Sequence, residues 1–161
     1  MGNENSSYRQ EDNVLIYTRL LNAPRELVWE AWTDPKHVKE WWGPNEFTLT
    51  HRLMEVKPGG KWDFIMHGMG QDYENRIKFM EVVKPSFLSY EHSNPDGSIF
   101  FTVYITFEEA AGKTLLTMRS VFKSAEVIAE LNRAVNAIEG GMQHLNRLDA
   151  YVAKMATVAG K

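Results

Sequence analysis

Apolar and polar positions change period twice along this chain. Val14–Leu21 (Val-Leu-Ile-Tyr-Thr-Arg-Leu-Leu) is rich in β-branched and aromatic residues and long enough for a first strand. Leu27, Val28, Ala31 and Trp32 then recur at helical spacing, which predicts a helix over 24–33. Pro24 suits a first turn, where its missing N–H has no partner to lose, with Asn22 or Ala23 as cap. Asp34-Pro35 starts a second short helix over 35–42, ended by Gly43-Pro44.

From Phe47 the period falls to two. Strands are expected at 47–56, 61–67, 73–84, 87–93, 99–107 and 114–122. Turn signals separate them, the clearest being Pro58-Gly59-Gly60 and Asn94-Pro95-Asp96-Gly97. Alternation puts Trp62, Phe64 and Met66 on one face and Lys61, Asp63 and His67 on the other. By the same rule Leu88, Tyr90 and His92 share a face, as do Phe101, Val103, Ile105 and Phe107, and Leu116, Met118 and Ser120. The helical period returns after Ser124, the expected N-cap. Val127, Ile128, Leu131, Val135 and Ile138 are followed, past Gly140-Gly141, by Met142, Leu145, Leu148, Val152 and Met155. A helix over 136–157 would be about 33 Å long. Its stripe has only the apolar face of the sheet to bury against. The glycine pair reads as a break between helices, a tight helix–sheet contact, or room for a ligand.

One strand, two short helices, six strands and a long helix make an α+β fold. The expectation is a curved seven-stranded antiparallel sheet around the C-terminal helix, with a cavity between them. Residues 13–158 form this single domain, and residues 1–12, polar and without apolar periodicity, read as a flexible tail. Two short motifs there, Met1-Gly2 with Ser6 and Asn5-Ser6-Ser7, match acylation and glycosylation patterns that arise readily by chance.

Composition narrows the chemistry. The 161 residues carry 18 Lys+Arg and 21 Asp+Glu, a net charge of −3, which argues against a nucleic-acid binder. No Cys is present, which excludes disulfides, thiol nucleophiles and Cys-ligated metals. No apolar run approaches a membrane span, and no secretory signal is visible, so a cytoplasmic protein is expected. Eight Met with 5 Trp, 6 Tyr and 8 Phe suit either an adaptable core or the wall of a ligand cavity.

Catalytic signatures are sparse. His37, His51, His67, His92 and His144 form no H-x-x-x-H or H-E-x-x-H pattern, so no metal site is expected. No P-loop, dinucleotide fingerprint or nucleophile elbow is present, so no cofactor is expected either. Tyr90, His92 and Ser120 are the candidate polar groups inside an apolar pocket, with His92 the candidate acid–base residue. Glu81 and Asn75 are further candidates for the interior. Parity suggests that His67 and His92 lie on opposite faces of the sheet.

Three segments carry a family resemblance. They are Pro24-Arg25-Glu26-Leu27-Val28-Trp29-Glu30-Ala31-Trp32-Thr33-Asp34-Pro35, Val38-Lys39-Glu40-Trp41-Trp42-Gly43-Pro44, and Pro58-Gly59-Gly60-Lys61-Trp62-Asp63-Phe64-Ile65-Met66-His67-Gly68. Together they resemble the family named for the activator of the heat-shock protein 90 ATPase. That family lies within the START, SRPBCC or polyketide-cyclase-like superfamily, which also contains the birch-pollen allergen. The resemblance spans about 13–157 and implies the helix-grip fold, with Trp41 and Trp42 near the cavity mouth. Met142 and Ser120 depart from the Trp and His that many relatives carry there.

The favoured reading is a binding protein for a small apolar or amphipathic molecule. Its expected pocket residues are Trp41, Trp62, Phe64, Met66, Tyr90, His92, Phe101, Met118, Ser120, Met142 and Leu145. A co-chaperone whose partner is a chaperone ATPase and a cyclase- or hydrolase-like enzyme are the alternatives. Exposed sheet edges leave monomer and homodimer both open.

Overall fold

The computed structural model describes residues 6–159. One antiparallel sheet of eight strands holds the fold, ordered β1-β2-β8-β7-β6-β5-β4-β3. The strands are β1 (Ser6–Glu11), β2 (Val14–Leu21), β3 (Thr48–Met54), β4 (Lys61–Gly68), β5 (Gln71–Val83), β6 (Phe87–Ser93), β7 (Ile99–Ala110) and β8 (Lys113–Phe122). The sheet curves around the helices α3 (Ala125–Val135) and α4 (Ala137–Ala159). Two short helices, α1 (Arg25–Thr33) and α2 (Pro35–Val38), connect β2 to β3. This is the expected α+β helix-grip architecture with one strand more than the seven expected.

The extra strand corrects the reading of residues 1–12 as a tail. β1 pairs with β2 from Ser6↔Arg19 to Glu11↔Val14, closing a hairpin at Asp12-Asn13. The side chains of residues 7–11 are exposed, so it shows none of the apolar alternation that marks a half-buried strand. Backbone pairing with an already formed β2 is enough to hold it. The part of that segment covering residues 1–5, with Gly2 and Asn5, lies outside the described residues.

Local chemistry explains most helix ends. Asp34 caps α2 by accepting from Lys36 N at 2.9 Å, and Pro35 occupies the first helical position. Ser124 Oγ accepts from Val127 N at 3.3 Å and caps α3. Pro24 itself is the N-cap residue of α1, with no side-chain cap, so neither Asn22 nor Ala23 fills that role. The second helix stops at Val38 rather than Trp42, and continues as turns tied by Trp41 N and Trp42 N to the Val38 carbonyl. The long C-terminal helix breaks at Asn136, in the left-handed conformation with φ 53°, and runs through the glycine pair unbroken. Asn132 stitches the break: its carbonyl accepts from Asn136 N and its Oδ1 accepts from Ile138 N at 3.1 Å.

The core lies between the concave sheet face and α1, α2 and α4. Trp32 (0% exposed) sits at its centre, edge-on to Trp41, Trp42 and Phe107 at 5.0, 5.9 and 6.1 Å. Leu145, Leu148 and Val152 bring the α4 stripe onto this layer.

Candidate functional site

Register places the sheet side chains that make the site. Tyr90, Val103, Ser120 and Leu15 are successive partners across β6, β7, β8 and β2, so they form one row on the concave face. The next row is His92, Phe101 and Phe122. In that row His92 stacks on Phe101 at 4.8 Å and 14°, and Phe101 stacks on Phe122 at 4.8 Å and 23°. A register shift between His92 and Ser93 leaves Phe100 as the extra residue on β7. It falls after the functional row, so the parity of Tyr90 and His92 is preserved.

These rows floor a cavity of about 810 Å³, within the range of small-molecule pockets. Its roof comes from the α3–α4 junction: Leu131, Val135, Asn136, Gly140, Gly141 and His144. Trp42, Gly43, Pro44 and Phe47 close one side, and Met66, Met69, Tyr73 and Asn75 another. Met69 and Val135, 76% and 61% exposed, stand at the mouth.

Three α4 side chains fix the loop that carries Trp42. Arg147 Nη1 donates to the carbonyls of Trp42, Gly43 and Pro44 at 3.1, 3.1 and 2.7 Å. Gly43 N donates to His144 Nδ1 at 2.9 Å, and Asn45 N to Gln143 Oε1 at 3.1 Å. Since Nδ1 accepts, His144 is the neutral Nε2–H tautomer. Burial pushes its pKa down to about 3, with the Arg147 charge contributing. Burial also lowers His92 to about 4 and raises the Tyr90 hydroxyl above its usual range. Tyr17 is raised too, first by burial and then by the charges of Tyr8 and Glu139.

Both glycines face the cavity, and Gly141 also makes a close helix–sheet approach. Tyr17 reaches across to donate to the Ile138 carbonyl at 3.1 Å, and a Cβ at Gly141 would lie 2.5 Å from Tyr17 Cζ. Gly141→Ala should therefore cost about 1–2 kcal/mol net, overpacking outweighing the gain in helix propensity. The same substitution in a Tyr17→Leu background should stabilise the protein in urea unfolding. A loss of equal size in both backgrounds would sink this explanation.

The expected pocket residues divide. Met66, Tyr90, His92, Phe101, Met118 and Ser120 come together on the cavity wall. Trp62 and Phe64 face the same side but lie beneath Trp42, at 4.7 and 5.9 Å from it, and stack on each other at 4.3 Å. Trp41 is turned into the core, its indole N–H donating to the Ala31 carbonyl at 2.9 Å, and Trp42 takes the place on the wall. Leu145 is buried at 1% and Met142 packs partly buried against the core, so neither lines the cavity. Of the two further candidates, Asn75 reaches the cavity and Glu81 is exposed. The irregularity between Phe79 and Val82 shifts β5 parity at Glu81. His67 lies on the outer face, bound to Thr50 and Asp72 at 2.8 and 2.7 Å, opposite to His92.

Sequence reasoning missed His144, Gln143 and Tyr17 as wall residues. For α4 the only signal was three polar residues, Gln143, His144 and Arg147, beside an apolar stripe. It also missed a surface group outside the cavity, Glu30, Asp34 and His37, whose ligand-type atoms lie within 4.8 Å of one another. His37 is already engaged there, with Tyr151 at 2.7 Å and Glu30 at 3.1 Å.

Ser120, on the cavity wall, has no imidazole hydrogen-bonded to it among the described residues, so no Ser120–His pair is assembled there. The cavity instead presents apolar walls with a few convergent polar groups. The sequence profile of the Activator of Hsp90 ATPase homolog 1-like protein family matches residues 22–153.

The chain belongs to this family.

Solved structures with the same fold include a protein from Arthrobacter aurescens, 22% identical over 92% of this chain and 91% of that one, with TM-score 0.83. Protein Ms6760 from Mycobacterium smegmatis is 25% identical over 92% and 98%, with TM-score 0.81. An AHSA1-like protein from Aeromonas hydrophila is 20% identical over 88% and 93%, with TM-score 0.71. No curated protein matches the chain. No helix among the described residues is long and apolar enough to cross a membrane.

Proposed function

We propose that this family member binds a small apolar or amphipathic molecule between the sheet and the α3–α4 junction. The observation that carries the reading is the state of the polar groups on the wall. Tyr90 and Ser120, only 3% and 6% exposed, line the cavity without a hydrogen bond to any described residue. His92 lines it in the same condition, held by stacking alone. Their polar atoms are not sealed inside the protein but open onto the cavity, so their partners come from whatever fills it. A ligand hydroxyl, carbonyl or amide among these three would satisfy them while its apolar body covers Leu15, Met66, Phe101, Met118 and Phe122. Methionines on both sides of the cavity suit a wall that adjusts to its occupant.

The direct test is native mass spectrometry of the purified protein, which should carry a bound small molecule released on denaturation. A Met118→Trp variant, which fills the space, should lose that mass and weaken binding of an apolar reporter dye by roughly tenfold or more. Undiminished dye binding in a folded Met118→Trp protein would locate the dye elsewhere and count against the cavity. Stimulation of a chaperone ATPase that survives the same substitution would favour a partner surface instead.

A further inference from the structure

The charges around the cavity select among amphipathic ligands. Among the described residues, no Lys or Arg side chain belongs to its lining. Arg147, the nearest arginine on α4, spends its guanidinium on the backbone carbonyls of Glu40, Trp42, Gly43 and Pro44. The two imidazoles on the wall are neutral at pH 7. Charging His92 there, against a pKa of about 4, would cost about a thousandfold. A carboxylate entering this cavity therefore meets no counter-charge.

The carboxylates of the lining are Glu74 and Glu139. Glu74 alternates with Tyr73 and Asn75 and pairs outward with Arg52 at 3.2 Å. Glu139 has no ion-pair partner among the described residues. It stands on the first turn of α4 at the mouth, close enough to Tyr17 for its charge to act on that hydroxyl. Tyr90 and Ser120, whose hydroxyls make no hydrogen bond to a described residue, line the same cavity.

The geometry points to an amphipathic ligand whose polar end is a protonated amine held at the mouth by Glu139, not a carboxylate. This rests on the cavity reading above and adds the headgroup to it. The amine donates to the Glu139 carboxylate, its chain runs along Phe101, Phe122 and Met118, and no fixed positive charge opposes it.

Three probes of one chain length test this: dodecylamine, dodecanol and dodecanoate, each below its micellar concentration, displacing a reporter dye at pH 7.5 and low salt. The expected order is amine tightest and dodecanoate weakest, with roughly tenfold or more between the ends of the series. Glu139→Gln should weaken the amine by roughly two- to fivefold and leave dodecanol unchanged. Glu130→Gln, the same charge change on an exposed α3 position, should alter neither. Dodecanoate binding as tightly as dodecylamine overturns the proposal. So does an amine preference that Glu130→Gln reduces as much as Glu139→Gln, since that is bulk attraction to a chain of net charge −3. Binding of all three with equal affinity overturns the headgroup selection and leaves the cavity reading standing. Failure of all three to displace the dye overturns both.

Discussion

Lowering the pH from 7 to 4 is expected to destabilise this protein by on the order of 5 kcal/mol, with His92 and His144 responsible for most of the loss. In the unfolded chain both imidazoles titrate near the ordinary value of 6.5, whereas in the fold they titrate near 4 and 3. Well above pH 6.5 both rings are neutral in both states and contribute no pH dependence. As the pH falls below 6.5, the unfolded chain takes up protons that the folded chain refuses, so unfolding is favoured. Each ring then removes up to about 1.4 kcal/mol per pH unit until its folded pKa is reached. For His144 the physical cause is visible. A proton on Nδ1 would displace the hydrogen bond from Gly43 N and put a cation among Trp32, Trp41 and Trp42, at 5.8, 4.9 and 4.6 Å.

Urea unfolding midpoints measured from pH 7.5 to 4 should decline steeply below about 6.5. The decline should be shallower in His92→Gln and His144→Gln variants. Titration of the ring proton resonances reads the same quantity without relying on variants that fold. Either ring titrating between pH 6 and 7 in the folded protein would refute the account. Because both rings line the cavity, ligand release should accompany the acid transition.

The second large effect concerns Arg19. Its side chain is 1% exposed, yet it lies on β2 among Leu15, Tyr17 and Leu21, facing α4. There it donates to Asp149 Oδ2 at 2.9 Å and to Asn146 Oδ1, while its Nε has no partner. Asp149→Ala should cost about 3 kcal/mol or more, because it strands a guanidinium out of water. Arg19→Met keeps the volume and removes the charge, and Asp149 is exposed enough, at 28%, to be solvated. That variant should lie within about 1 kcal/mol of the parent. Adding Asp149→Ala to Arg19→Met should then cost little. Denaturant unfolding of the three variants decides it, and equal losses for the two single substitutions would mean that the ion pair is not what holds β2 to α4.

Arg19 also marks how far the sequence reading reached. The residues 14–21 read as a strand because β-branched and aromatic side chains recur there. The alternation that buries Leu15 and Tyr17 also buries Arg19, yet a charge in that series carries no apolar signal. Asp149, its partner, is 130 positions away. β1 was hidden for a related reason: a strand exposed along its length leaves no alternation to read. The caps Asp34 and Ser124 were legible because capping is local chemistry, settled within three residues.

The candidate site was legible in part, for the same reasons. Tyr90, His92, Phe101, Met118 and Ser120 were reached through parity, which survives on β6 and β8 and, up to Phe101, on β7. Trp62, Phe64 and Leu145 have the expected inward parity but are covered. Sequence by itself determined the order of elements and, for most strands, which face turns inward, since a two-residue or 3.6-residue period is written in successive side chains. Only the tertiary structure decided where the inward face stays open. That depends on how Asn136 turns α3 into α4, on how closely Gly141 lets α4 approach Tyr17, and on Arg147 and His144 pinning Trp42 over Trp62. The first is a local turn, but the other two join residues more than 100 positions apart, and whether space remains between them is set by packing that no local period records.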